Sequence, residues 1–244
     1  MRILVGGDAR KTTQTLPEQA GAATTVGRMY VPGPNAVDDP AVVLELLRSV
    51  GVGHLVSGGS TGPFDATVLP FLVDDSMTTL RAHIARANPH WRTLDGAAAL
   101  MVVPVSDAYV SPSWYVSKGD DPRVVPTWNY EVVHVHGTVH VHDDPAFVES
   151  VVRTLTDTLE ADRVRDSPNP PAWSVDDAPA DFIARQLRAI VGIEMTVTSV
   201  EAKRKLSQNR TDGDRLGVAD GLDSSLDPRR QAVATAMRTT HLEP

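Results

Sequence analysis

The sequence predicts an antiparallel β-barrel with peripheral helices, an α+β chain dominated by strand, on three observations. Short β-like runs follow one another from residue 54 to residue 110, separated by Gly, Pro and Asp turns. The few helical stretches carry their own caps but do not alternate regularly with the strands, as a doubly wound sheet demands. Neither the glycine fingerprint of a dinucleotide fold nor a P-loop is present.

Taken in order, residues 1–28 show neither helical nor strand periodicity and read as a disordered extension, with Met29 a candidate true start because Met29-Tyr30-Val31-Pro32 opens a folded pattern. A mature N-terminal peptide mapping upstream of Met29 excludes that start. Asp38, Asp39 and Pro40 supply a cap and a pre-set first turn for a helix striped by Val42, Val43, Leu46 and Leu47 and ended by Gly51. His54–Ser57, Thr67–Val73, Thr78–Ile84 and Ala98–Val105 read as successive antiparallel strands. Between the last two, Asn88-Pro89 opens a short helix in which Trp91 and Leu94 share a face.

Asn129–Val141 alternates over a length that fits one long strand. Asp143-Asp144-Pro145 then caps a helix with the stripe Phe147, Val148, Val151, Val152, Leu155 and Leu159. After a Pro-rich loop at Asp166–Pro171, Pro179 begins a helix carrying Phe182, Ile183, Leu187 and Ile190, with Gly192 as its end. Ile193–Val200 alternates as a strand, and Asp227-Pro228 starts a terminal helix that packs on the domain or frays. The expected organisation is an extension over 1–28, a folded domain over 29–222, and a C-terminal helix or tail over 223–244.

The bulk properties narrow the function. At 244 residues, 41% hydrophobic and 22% charged, the chain can bury a sizeable core in one large domain. A net charge of −8 opposes a phosphate backbone, so direct DNA contact is not expected without a local basic patch. The absence of cysteine excludes disulfides, thiolate-ligated haem, iron–sulfur clusters and Cys-based zinc sites. No apolar run spans a bilayer and residues 1–28 lack a signal-peptide core, so a cytoplasmic location is the expectation.

Four segments stand out: His83-Ile84-Ala85-Arg86-Ala87-Asn88-Pro89-His90-Trp91, Val110-Ser111-Pro112-Ser113-Trp114-Tyr115, Val125-Pro126-Thr127-Trp128-Asn129-Tyr130, and Lys205-Leu206-Ser207-Gln208-Asn209-Arg210. In this order and spacing they resemble the PaiB family of the FMN-binding split-barrel superfamily, over about residues 29–222. The resemblance implies a six-stranded split β-barrel, a homodimer, and FMN at the subunit interface. The family label of negative transcriptional regulator implies DNA contact that the sequence does not support, since no helix-turn-helix is recognisable and the cluster Lys203, Arg204, Lys205 and Arg210 is small.

The chemical residues follow from the same segments. Arg86 and Asn88 lie where a strand hands over to a helix start, a place where N–H groups and a guanidinium converge on an anion; an N-cap beside a surface arginine is the plain alternative. Lys205, Ser207, Gln208 and Asn209 offer a cation and neutral donors suited to a phosphate or a pyrimidine edge, or else a solvated strand end. Ser111, Ser113, Trp114, Trp128 and Tyr130 combine hydroxyls with flat rings, as an isoalloxazine wall or as packing. Thr67 is a further hydroxyl donor, whereas Val68 stands where the family usually carries His, which puts cofactor identity in question. His83 belongs to the same cofactor-binding set.

A row of imidazoles, His134, His136, His140 and His142, falls on one strand face unless Gly137 marks a bulge, giving either a metal or haem site or an exposed polar face. The leading expectation is an FMN-binding protein, with a flavin-dependent oxidoreductase or a redox-linked regulator as its activity. Similarity to haem-dependent piperazate synthases gives a second, with His83, His90 or His134 as ligands. A non-enzymatic regulator is the third.

Overall fold

A computed structural model of the chain describes residues 29–58 and 63–240. Six antiparallel strands, β1 (Val52–Gly58), β2 (Phe64–Val73), β3 (Thr79–Ala85), β4 (Ala98–Val110), β5 (Thr127–His142) and β6 (Ile190–Lys205), close into a ring in the order β1-β2-β3-β6-β5-β4. Each expected strand lies within or over one of these, so the barrel expectation holds. The α-helices among the described residues are α1 (Pro40–Val50), α2 (Pro145–Asp166), α3 (Ala180–Leu187), α4 (Asp212–Asp223) and α5 (Pro228–Thr239).

Helix α1 forms as its sequence dictates. The Asp39 carboxylate accepts from Ala41 N at 2.8 Å, Pro40 presets the first turn, and Gly51 at φ 62° closes the last one by donating to Leu47 O. Its buried stripe, Val43, Leu46 and Leu47, joins Leu55, Leu69, Phe71, Leu80, Met101, Val133, Val135, Ile193 and Met195 in one core inside the ring. Each fully buried leucine there contributes about 1.5–3 kcal/mol relative to exposure. Because α1 leads directly into β1, it closes one end of the ring; a 3-10 segment at Pro89–Thr93 closes the end where β1 finishes.

Strands β4, β5 and β6 run on beyond the ring as a three-stranded sheet. Val105 is an extra residue on β4, since Pro104 faces Val132 while Ser106 already faces Glu131. On the inner side of this extension a second core forms from Ala108, Val110, Tyr115 and Leu206 under Val218 and Leu222 of α4 and Val233 and Met237 of α5. The terminal helix therefore packs on the sheet and is part of that core.

Three local expectations are corrected. Ile190 does not extend a helical stripe and Gly192 does not end a helix: α3 stops at Leu187 and both residues lie in β6. Glycine is required at 192 by the Phe147 ring, 2.5 Å from where a Cβ would stand. Helix α4 had no counterpart in the sequence reading, because Gly213, Gly217 and Gly221 lower its helical propensity; at Gly221 the Trp114 indole occupies the space of a side chain, 2.5 Å from a Cβ. The alternative of a bulge at Gly137 is met at that step of the ladder, but with the extra residue on the partner strand. β5 stays in step with β4, while β6 gains Thr198 between the partners of His136 and Gly137. Residues 1–28, and the stretch upstream of Met29, lie outside the described residues. No described helix is long and apolar enough to cross a membrane.

Candidate functional site

Directly opposed residues of antiparallel strands point to the same face. The ladders place Val68 opposite His54, His54 opposite Val102, Val102 opposite His134, and His134 opposite Glu201. These five therefore form one row across the outside of β2, β1, β4, β5 and β6. A parallel row runs Ala66, Val56, Leu100, His136 and Ser199, and on the other side of Glu201 Lys203 and Lys205 share the face, opposite Val132 and Tyr130. Helix α2 covers the outside of β3 and the start of β6, with Phe147 seated on Gly192. The segment from Met29 to Ala36 reaches the Glu201 end of this face, Met29 N donating to Glu201 Oε2 and Ala36 bridging Lys203, whereas the other end stays open, with Val68 61% exposed and the Trp128 indole 50%.

Within this face the charged groups are held in place. Lys203 Nζ donates to Tyr30 O at 2.8 Å and lies 5.2 Å from the centre of the Tyr130 ring. Lys205 Nζ donates to Thr127 Oγ1 at 2.7 Å and to Trp128 O. Burial lowers the Lys205 pKa, the neighbouring Tyr130 pulls it back up, and Lys203 lowers it further. His134 has no hydrogen-bond partner among the described residues; burial and the adjacent His136 hold its pKa below the ordinary value, against the pull of Glu201. His136 is buried, with Nε2 3.3 Å from Glu201 Oε2. A side chain at 137 would sit 2.4 Å from Thr196 O, so only glycine lets β5 and β6 approach here.

The other residues singled out by sequence fall into two further places. At the end of the ring, His90 is buried with Ser57 Oγ 2.8 Å from Nε2 and Thr67 Oγ1 2.8 Å from Nδ1. Asn88 caps the 3-10 segment by accepting from His90 N at 3.0 Å, and its amide donates to Thr67 Oγ1 at 3.1 Å. Nearby, Arg86 donates to Arg188 O at 2.9 Å, to Ile190 O at 3.1 Å and to both oxygens of Asp143. Its guanidinium thus pins the strand ends to the entry of α2. His83 is half-buried opposite Gly192, with Nδ1 buried and unpartnered. Of the three histidines considered for haem, His90 has both nitrogens engaged and His83 lies on the strand face that α2 covers. His134 alone stands on the outer face that α2 leaves open.

At the far end of the extension, Ser111 Oγ accepts from Ser113 N at 3.2 Å and Ser113 is exposed. Trp128 Nε1 donates to Asp107 at 2.9 Å. Ser207 is buried at φ 63° and donates to Asn129 Oδ1 at 3.1 Å. Gln208 spans its own turn, accepting from Leu206 N at 2.7 Å and donating to Arg204 O at 2.6 Å. Within one chain, Arg86 and Lys205 stand at opposite ends of β6, because Ala85 pairs with Ile190 at its start while Lys205 ends the 16-residue strand, roughly 50 Å along its path. The single chain does not bring these two segments together.

Sequence reasoning did not single out His54, Ser57 or Glu201. Each is an ordinary residue in its own segment, and only strand register joins it to the others. A cleft of about 700 Å³ under α2, lined by Phe71, Arg81, Val151, Leu155 and Asp162, contains none of the residues above. Its walls combine apolar side chains with Arg48, Arg81, Asp74 and Asp162.

Comparison with known proteins places the chain among relatives of known family and fold. The profile of a family described as "Putative FMN-binding domain" matches residues 29–199. The Bacillus subtilis protease synthase and sporulation protein PAI 2 is 30% identical over 213 residues, covering 86% of this chain and 96% of that protein. The uncharacterised yeast protein YKL070W is 37% identical over 103 residues, 40% of this chain and 61% of its own length. Among solved structures, the flavocytochrome Anf3 of Azotobacter vinelandii is similar with a TM-score of 0.51 at 15% identity, over 70% of this chain and 69% of its own. An FAD- and haem-binding protein of Mycobacterium smegmatis follows with a TM-score of 0.50 at 18% identity, over 74% and 78%. At those identities the two structures speak to fold alone.

Proposed function

The chain belongs to the PaiB family of FMN-binding domains, and from that premise we propose that it binds FMN between two copies of itself, across the outer face of β2, β1, β4, β5 and β6 that α2 leaves open. The observation that carries this reading is that face: valines at 68, 102 and 132 offer an apolar wall, and Lys203, Lys205, Tyr130 and Trp128 stand at its margin. A flat ring system needs such a wall with a few donors at its edge. Exposed apolar groups such as Val68 and Trp128 on an outer sheet face are otherwise a liability that pairing with a second copy removes.

In this reading the corner around Thr67, Asn88 and Arg86 in one copy faces the Lys205-to-Gln208 end and the Ser111 and Ser113 hydroxyls of the other. His83, three residues before Arg86, belongs to the same proposed set. Opposite ends of one β6 then contribute to one site through a two-fold axis. FMN, when bound, supplies two-electron redox chemistry, while the chain's own groups hold the ring, exclude water and set the charge around it. We assign the chain a flavin-dependent redox role, with a redox-linked regulator as its non-catalytic form. The charge of −8 supports a regulator that acts without gripping a duplex.

The absorbance spectrum of purified protein, with its mass in solution, tests this. The expected result is paired flavin bands in the blue and near ultraviolet, FMN released on denaturation, and a dimer. A single sharp Soret band points to haem on His134 instead. Colourless protein that takes up no added FMN removes the proposal.

A further inference from the structure

The arrangement of β5 and β6 carries a second set of ligand atoms on the same outer face. One nitrogen from His134, one from His136 and one carboxylate oxygen of Glu201 lie within 4.8 Å of one another. His134 and Glu201 are direct partners across the ladder, and His136 is two residues on, so all three project from one face. The extra residue Thr198 in β6 shifts the ladder beside them, and Thr198 Oγ1 donates to His136 O at 3.2 Å, fixing the backbone at that step. From these features we propose that His134, His136 and Glu201 form a binding site for a divalent first-row cation of the zinc class, with three protein ligands and an open position.

Donor chemistry selects the cation class. Two imidazoles and one carboxylate, without thiolate, suit zinc, cobalt or ferrous iron and are poorly matched to calcium or magnesium, which take oxygen ligands. Three protein ligands with a free position are the pattern of reactive rather than purely structural metal sites. The 4.8 Å spread exceeds the roughly 3.3 Å between ligands around a tetrahedral zinc ion with bonds near 2.0 Å. Side-chain rotation of His134, which is half-buried and free of described hydrogen bonds, closes that difference.

The second observation is an unmet polar atom. The His136 side chain is only 5% exposed, and its Nδ1 is buried with no hydrogen-bond partner. A neutral imidazole that donates through Nε2 to Glu201 is left with a bare lone pair in an apolar setting. Coordination through Nδ1, with Nε2–H held by Glu201, removes that cost. Glu201 is also positioned by the main chain, Met29 N donating to Oε2 at 3.1 Å, so its carboxylate is oriented before any cation arrives. Lys203, the cation nearest in sequence on the same face, is drawn aside by Tyr30 O. His140, farther along β5, is exposed and stands opposite Glu194, outside the cluster.

The test uses full-length, untagged protein stripped of metal and titrated with zinc ions alone, read by calorimetry and by metal content after dialysis. The expected result is one zinc per chain at micromolar or tighter affinity. His136→Ala and Glu201→Gln then each weaken binding at least tenfold, and His140→Ala leaves it unchanged. Should His136→Ala fail to fold, His134→Asn makes the same measurement at a half-buried position. Absence of stoichiometric zinc, or affinity retained in the His136 or His134 variant and in Glu201→Gln, overturns the site. Flavin content is recorded alongside, so loss of zinc and loss of FMN are separately visible.

Discussion

Oγ of Ser57 and Nε2 of His90 lie 2.8 Å apart inside the ring's end, and the opposite ring nitrogen is met by Thr67 at the same distance. One imidazole thus ties β1, β2 and the 3-10 segment together, satisfying two hydroxyls that otherwise face an apolar core. His90→Ala removes the plug, strands the Ser57 hydroxyl and leaves Thr67 only its bond from Asn88, so it is expected to cost about 2–4 kcal/mol. Urea unfolding of the variant checks this. A change under 0.5 kcal/mol means the cluster is not formed in solution.

Arg204 and Glu131 make a second buried polar link, Nε to Oε1 at 2.8 Å, with Ser106 Oγ donating to the other carboxylate oxygen at 2.8 Å. The Glu131 side chain is 5% exposed and that of Arg204 18%, so water screens the pair little. Arg204→Met leaves an uncompensated carboxylate and is expected to destabilise by about 2–4 kcal/mol. Arg204→Met combined with Glu131→Leu removes both charges and is expected to recover most of that loss. Parallel chemical denaturation of the single and double variants decides it.

What the sequence made legible was local. Asp39, Asn88, Asp144 and Asp227 each cap the segment that their spacing indicated, because a cap depends on residues two or three positions away. All six strands were likewise readable from alternation and turns. The candidate site was only half legible. Trp128, Lys205 and His134 were found, but His54 and Glu201 join them only through ladder register, which no local pattern encodes. Arg86 shows the same limit from the other side: its neighbours suggested an anion, whereas Asp143, 57 residues away, takes the guanidinium.

Acid sensitivity follows from the buried imidazoles. Burial holds His83 below its ordinary value near 6.5, and His90 and His134 shift the same way, with burial the largest cause in each. On acidification the unfolded chain takes up these protons first. Their neutral forms therefore stabilise the fold fully above pH ~6.5, and that contribution drains as pH falls toward the lowered native values. Replacing His83 by Gln is expected to flatten the stability profile below pH ~6.5 by up to about 1.4 kcal/mol per pH unit. Identical slopes for the two proteins, from denaturation midpoints between pH ~5 and ~8, contradict the assignment.

Val68 offers the sharpest separation between fold and assembly. At 61% exposed it contributes little to the chain's own core, yet it stands in the row that joins His54, Val102, His134 and Glu201. Val68→Glu should therefore leave single-chain stability within about 0.5 kcal/mol, the range of ordinary surface changes. In the proposed two-fold assembly the same substitution buries a carboxylate in each copy, a penalty of several kcal/mol. The expected outcome is a monomer by light scattering, with the native circular dichroism spectrum and FMN affinity reduced at least tenfold. A dimer that persists with its flavin intact would move the interface, and the cofactor with it, to another face of the ring.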